Sequence, residues 1–165
     1  GKMALAEWGS ISERRINQLT LGKRGLPPFL AKNPGVESGI MILQYSAASL
    51  VSRNKQRTVP SSTDSIDSSA GQEDHVSMGA NAATDTIDIL DRVWTILSME
   101  WIAAIRSIEM SERISPEAIS DLIKSYRDIY PSSQGDNVLA EEIQVAEKFI
   151  RDITIEDKPF LKFKT

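Results

Sequence analysis

Residues 87–108 read Ile87-Asp88-Ile89-Leu90-Asp91-Arg92-Val93-Trp94-Thr95-Ile96-Leu97-Ser98-Met99-Glu100-Trp101-Ile102-Ala103-Ala104-Ile105-Arg106-Ser107-Ile108, and this stretch decides the fold. Ile87, Leu90, Trp94, Leu97, Trp101, Ile105 and Ile108 follow one another at steps of three or four, which draws one seam along an α-helix. A second row, Ile89, Val93, Ile96 and Ile102, flanks the first, so more than one face is apolar. Extended back to Asp74–Val76 and forward to Ser111, the helix has about 36 residues and a length of roughly 54 Å. A rod of that length exceeds the ~30 Å span of a small domain. It either protrudes or is covered by further protein.

The segments on either side are also helical. A first helix is expected from Lys2 to about Leu19, closed by the breakers Gly22, Gly25, Pro27 and Pro28. Asn33-Pro34-Gly35 opens a second from about Val36 to Gln56, with Ile40, Met41, Leu43, Tyr45, Leu50 and Val51 spread around its circumference. A helix apolar on all sides needs neighbours on several of them. Ser115-Pro116-Glu117 has the form of a helix start, with Ser115 as side-chain cap and proline in the first turn. That helix runs to about Ile129, and a last one from about Asn137 to Asp152. Nothing alternates with period two and there is no internal repeat. The expected architecture is an all-α bundle of long helices forming one domain over residues 1–165.

The 165 residues carry a net charge of −4, and a quarter of them (25%) are charged, which is unremarkable for a soluble protein. Nucleic-acid and anionic-membrane partners call for a clustered basic surface. The best candidate, Arg53-Asn54-Lys55-Gln56-Arg57, reads instead as the solvated C-terminal turn of a helix. Cysteine is absent, which removes disulfides and thiolate chemistry and suits a reducing compartment. No apolar run approaches the ~20 residues needed to span a bilayer. A cytoplasmic protein without nucleic-acid or membrane partners is the expectation.

Residues 58–75 form a Ser-, Asp- and Pro-rich loop with almost no apolar content, and loops of this length are usually functional or disordered. It closes on Ser68-Ser69-Ala70-Gly71-Gln72-Glu73-Asp74-His75-Val76-Ser77-Met78-Gly79, which holds the only histidine. Two readings of Glu73 and Asp74 stay open on the residues alone. They are acids in the first turn of a helix, where free N–H groups favour negative charge, or Glu73 is a carboxylate at a pocket mouth, able to accept an imidazole N–H. Gln72 orients Glu73, reaches a substrate directly, or ties down the loop backbone. Consecutive Glu73, Asp74 and His75 do not have the i,i+4 spacing of a helix-borne zinc site, so no metal is expected. Trp94 and Trp101, one heptad apart, read as packing or interface residues rather than a ligand box.

The order of motifs is specific. Ser12-Glu13-Arg14-Arg15-Ile16, the Gly25–Leu30 turn, Ser38-Gly39-Ile40-Met41, the Ser-rich loop and Gln72-Glu73-Asp74-His75-Val76-Ser77-Met78 resemble the C-terminal region of histidine ammonia-lyases, aromatic amino acid lyases with a methylidene-imidazolone electrophile. The resemblance spans about Lys2 to Met110. It implies the L-aspartase/fumarase-like helical core, a homotetramer, and elimination of ammonia from L-histidine to give urocanate. It assigns Glu73 to contact with the substrate imidazole, with Gln72 in support. Phenylalanine-preferring relatives carry a neutral amide where Glu73 stands, so the charge argues for histidine; tyrosine-acting lyases and aminomutases share much of the region. The electrophile forms from Ala-Ser-Gly, a triplet this sequence lacks. The resemblance therefore implies an N-terminal portion of the same lyase as partner, and no activity from this chain alone. The alternatives are a tyrosine or phenylalanine lyase or aminomutase of the same family and, outside enzymes, a helical assembly module without chemistry.

Overall fold

The computed structural model describes residues 1–111, 115–133 and 135–153. The remaining part of the expected 1–165 domain lies outside the described residues. Five α-helices follow one another: α1 (Lys2–Thr20), α2 (Met41–Gln56), α3 (Gly79–Glu109), α4 (Glu117–Ile129) and α5 (Leu139–Asp152). Among the described residues there is no strand, only isolated bridges such as Leu21 with Pro28 and Ser68 with Glu73. The all-α architecture is as expected.

α3 is the axis of the molecule. Its 31 residues rise about 46 Å. α1 and α2 pack against it and against each other, while α5 lies along it and carries α4. The buried seam of α3 is Ile89, Val93, Ile96, Met99, Ile102, Ala103 and Ile105. This corrects the sequence reading, which gave the leading role to the row through Ile87 and Leu90. Those two residues are 60% and 39% exposed, and Trp94, Leu97, Trp101 and Ile108 are half-buried. Both rows have helical period, and only the positions of α1, α2 and α5 select between them.

Ile16 of α1, Ile40 before α2, and Leu43, Ala47 and Val51 of α2 close the core on one side. On the other side Trp101 meets Tyr126 edge-on with ring centroids 5.8 Å apart, and Phe149 of α5 contacts both rings. Trp101 is thus a packing residue, and Trp94 lies under the Arg151 guanidinium, 4.9 Å from the ring centroid. On the outer side of α2, Ile42 and Tyr45 are exposed.

Three helix starts differ from the sequence reading, each for a local reason. α2 begins at Met41 rather than Val36 because Asn33 and Glu37 close a separate turn, in which the Glu37 carboxylate accepts the Lys32 and Asn33 N–H groups (2.9 and 3.3 Å). Asp136 then takes the Ser38 and Gly39 N–H groups at 2.8 and 2.9 Å. α3 begins at Gly79 rather than Asp74–Val76, because Glu73 pairs back to Ser68 and is held outside the helix. At α4, Pro116 is the N-cap, and its carbonyl accepts Ile119 and Ser120; Ser115 is not the side-chain cap.

Candidate functional site

The loop between α2 and α3 begins on a firm anchor. Lys2 Nζ donates to the Val59 carbonyl (2.8 Å), the Ser61 hydroxyl (3.2 Å) and Asp85 Oδ2 (3.1 Å). Arg57 bridges Asp85 and Asp88, each at 2.9 Å. These bonds fix the loop's first turn, Ser61–Thr63, against the start of α3 and hold the Asp85 carboxyl below the usual carboxylate range, the Lys2 ammonium first and Arg57 in support. Arg57 is therefore an ion-paired anchor and not a merely solvated end of α2, and nothing in the Arg53–Arg57 pattern signals those partners.

The motif lies further along, on the loop's exposed end. Gln72, Glu73, Asp74 and His75 are all exposed. Glu73 stands six residues before Gly79, outside the first turn of α3, where the effect of the helix dipole has faded. Its position as a first-turn acid is therefore excluded. Instead a clasp holds it. Ser68 N–H donates to the Glu73 carbonyl at 2.8 Å, Glu73 N–H returns to the Ser68 carbonyl at 3.3 Å, and the Ser68 hydroxyl donates to Glu73 Oε2 at 2.6 Å. The chain reverses between them through Ser69, Ala70 and Gly71, with φ of 52°, 56° and 85°. Gln72 closes this turn with its N–H on the Ser69 carbonyl (3.2 Å).

Ser12-Glu13-Arg14-Arg15 is a joint between helices. Ser12 and Glu13 are buried. The Ser12 hydroxyl and Arg15 both reach Glu100 of α3, and Gln44 of α2 donates to Glu13 Oε1 at 2.8 Å. The motif locks α1 to both neighbours. Within the motif Arg14 and Arg15 are exposed, paired with Glu13 (3.1 Å) and Glu100 (3.2 Å) respectively.

A polar cavity of about 310 Å³ lies at the other end of α3, lined among others by Glu37, Arg106, Glu109, Arg127, Asp136 and Glu142. These six charged groups are already engaged, in ion pairs or with backbone and amide N–H groups. Arg127 forks onto Glu109 (2.7 and 2.9 Å), Arg106 meets Glu142 at 2.8 Å, and Asp136 caps the approach to α2. Gly79 and Arg106 are about 40 Å apart along the helix. The cavity is lined by no residue of the 58–75 loop. It joins α3, α4 and α5 and is separate from Glu73.

Residues 1–128 match the family model described as aromatic amino acid lyase. The chain belongs to the aromatic amino acid lyase family. Among its lyase relatives is the histidine ammonia-lyase of Geobacillus thermodenitrificans, 43% identical over 161 residues that cover 95% of this chain and 32% of the relative. The histidine ammonia-lyase of Streptomyces avermitilis is 46% identical over 154 residues, covering 91% and 30%. The fold is similar to that of the histidine ammonia-lyase from Trypanosoma cruzi, with a TM-score of 0.86 and 34% identity over 99% of this chain and 35% of that one. A tyrosine aminomutase from Streptomyces globisporus gives 0.82 and 32%, over 93% and 32%. The chain spans about a third of the length of the curated relatives it matches.

Lyases of this family depend on methylidene-imidazolone. Forming its methylidene requires a central residue that can lose water. The nearest triplet here, Ser69-Ala70-Gly71, puts alanine at the centre and winds through left-handed backbone in the clasp. These residues do not fit the group. Among the described residues no helix is long and apolar enough to cross a membrane.

Proposed function

We propose that this chain is the part of a histidine ammonia-lyase that presents Glu73 to the ring of the substrate. The complete enzyme eliminates ammonia from L-histidine: the Cα–N and one Cβ–H bond break, a Cα–Cβ double bond forms, and urocanate leaves. The observation that carries this reading is the carboxylate of Gln72-Glu73-Asp74-His75, clasped at the exposed end of its loop, in a chain whose relatives above are histidine ammonia-lyases. In this reading Glu73 accepts the imidazole N–H and orients the ring, and Gln72 supports it. Sequence outside this chain supplies the electrophile, the base for the β-proton and the groups that grip the amino acid carboxylate. The working unit is a cytoplasmic homotetramer completed by that N-terminal portion, and this chain alone is inactive.

The chemical case for histidine is one of unpaired groups. A carboxylate that meets a ring N–H is satisfied, whereas the same carboxylate against a phenyl ring loses its water and gains nothing. The likeness to a tyrosine aminomutase favours a second reading, a tyrosine-acting lyase or aminomutase of the same family, in which Glu73 accepts the phenol hydroxyl. Steady-state kinetics of the full-length enzyme separates them. With L-histidine as substrate, Glu73→Ala is expected to lower kcat/KM about a hundredfold, the size of a lost charge-assisted contact. An unchanged kcat/KM removes the assigned contact. Preference of the wild-type enzyme for L-tyrosine selects the second reading.

A further inference from the structure

We propose that Ser68 is the positioning residue for Glu73: its hydroxyl engages Oε2 and leaves Oε1 directed to the substrate ring. The inference rests on reading Glu73 as the ring contact. Glutamate is long and flexible, and at an exposed site nothing in its own backbone fixes where its oxygens point. Here the hydroxyl of Ser68 fixes one of them at 2.6 Å, and no other side chain among the described residues bonds to the carboxylate. A carboxylate has two oxygens and about four acceptor sites. With one oxygen engaged, the other keeps its acceptor capacity for an incoming N–H.

The backbone is organised to bring this hydroxyl to this carboxylate. Ser68 and Glu73 exchange both of their main-chain hydrogen bonds, so the two Cα atoms are fixed face to face. The reversal between them runs through three successive left-handed residues, two of which, Ser69 and Ala70, are not glycine. Non-glycine residues adopt that region at a cost and keep it only where surrounding contacts over-determine it. Nothing in the core needs the turn, because residues 69–75 are exposed. What the strained turn secures is the registry of Ser68 with Glu73. Ser68 lies five residues upstream of the acid, a separation that does not mark it as a partner until the turn is seen.

The test uses the full-length lyase with L-histidine and four variants: Ser68→Ala, Ser68→Thr, Glu73→Ala, and Ser68→Ala combined with Glu73→Ala. Ser68→Ala is expected to raise KM about tenfold, the size of one hydrogen bond to a charged group, while kcat changes far less. Ser68→Thr, which keeps the hydroxyl, restores the wild-type KM. In the Glu73→Ala background, removing the Ser68 hydroxyl has no further effect on KM. The inference is overturned if Ser68→Ala leaves KM unchanged while Glu73→Ala impairs the enzyme. It is also overturned if Ser68→Ala acts equally in both backgrounds, or if threonine fails to restore KM. Glu73→Ala without effect overturns the parent reading, an outcome distinct from failure of the Ser68 inference alone.

Discussion

At Gly39 an added Cβ would lie 2.3 Å from the Phe29 carbonyl oxygen, on a backbone with φ of +55°. That same carbonyl accepts the Ile40 N–H at 2.8 Å, so it cannot move aside without giving up the approach to α2. Gly39→Ala is expected to cost about 2 kcal/mol or more, through steric contact and left-handed strain together. A fall in the urea midpoint at unchanged slope would show it. The sequence marks Gly39 only as one small residue in Ser38-Gly39-Ile40-Met41. Likewise the sequence marks Glu73 only as a candidate contact, from its setting in Gln72-Glu73-Asp74-His75. Its clasp is not legible there. Ser69 and Ala70 carry no signal of positive φ, which glycine or asparagine would have given, so a helix start was the simpler expectation for residues 74–76.

Among the elements, periodicity established that α1, α2, α3, α4 and α5 exist and where most of them end. It did not establish which way α3 faces, because two apolar rows share its period and tertiary contacts choose between them. Buried charge was likewise invisible. Glu13 and Glu142 are each 1% exposed, and neither stands in a pattern distinct from a solvated acid. Glu142 shows what such a residue does. From α5 it meets Arg106 of α3 (2.8 Å), Arg127 of α4 (3.4 Å) and Asn137 (3.4 Å), so three helices converge on one carboxylate. Removing it leaves the facing Arg106 and Arg127 without a shared counter-charge in a desolvated place. Glu142→Ala is expected to destabilise by about 3 kcal/mol. Chemical denaturation followed by circular dichroism would measure this, and a loss below about 0.5 kcal/mol, the usual surface value, would contradict the role.

For the whole molecule, three carboxylates matter together, two of them holding segments that are distant in sequence and the third closing a local turn. Asp85 joins α1 and Arg57 at the α2 end to α3, Asp136 caps the approach to α2 through the Ser38 and Gly39 N–H groups, and Glu37 is bonded to Asn33. All three are held below their ordinary range, by Lys2, by the Ser38 N–H and by the Asn33 side chain respectively as the leading causes. A depressed folded-state value stabilises the fold above the unfolded value, and the benefit disappears as pH falls through the folded one. Stability is therefore expected to be level from neutral pH to about 5 and to decline below about 4. Asp85→Asn should make that decline shallower in thermal melts across pH.

The same scale bears on the proposed function: the exposed end of the 58–75 loop lines no part of the polar cavity beside Arg106, and in the proposed reading it faces a pocket completed by the rest of the lyase. A crystal structure of the full-length enzyme with urocanate bound measures this directly. The account predicts Glu73 Oε1 within about 2.6–3.2 Å of an imidazole nitrogen, with Ser68 still on Oε2. A carboxylate facing bulk water, with the ring bound elsewhere, would contradict it.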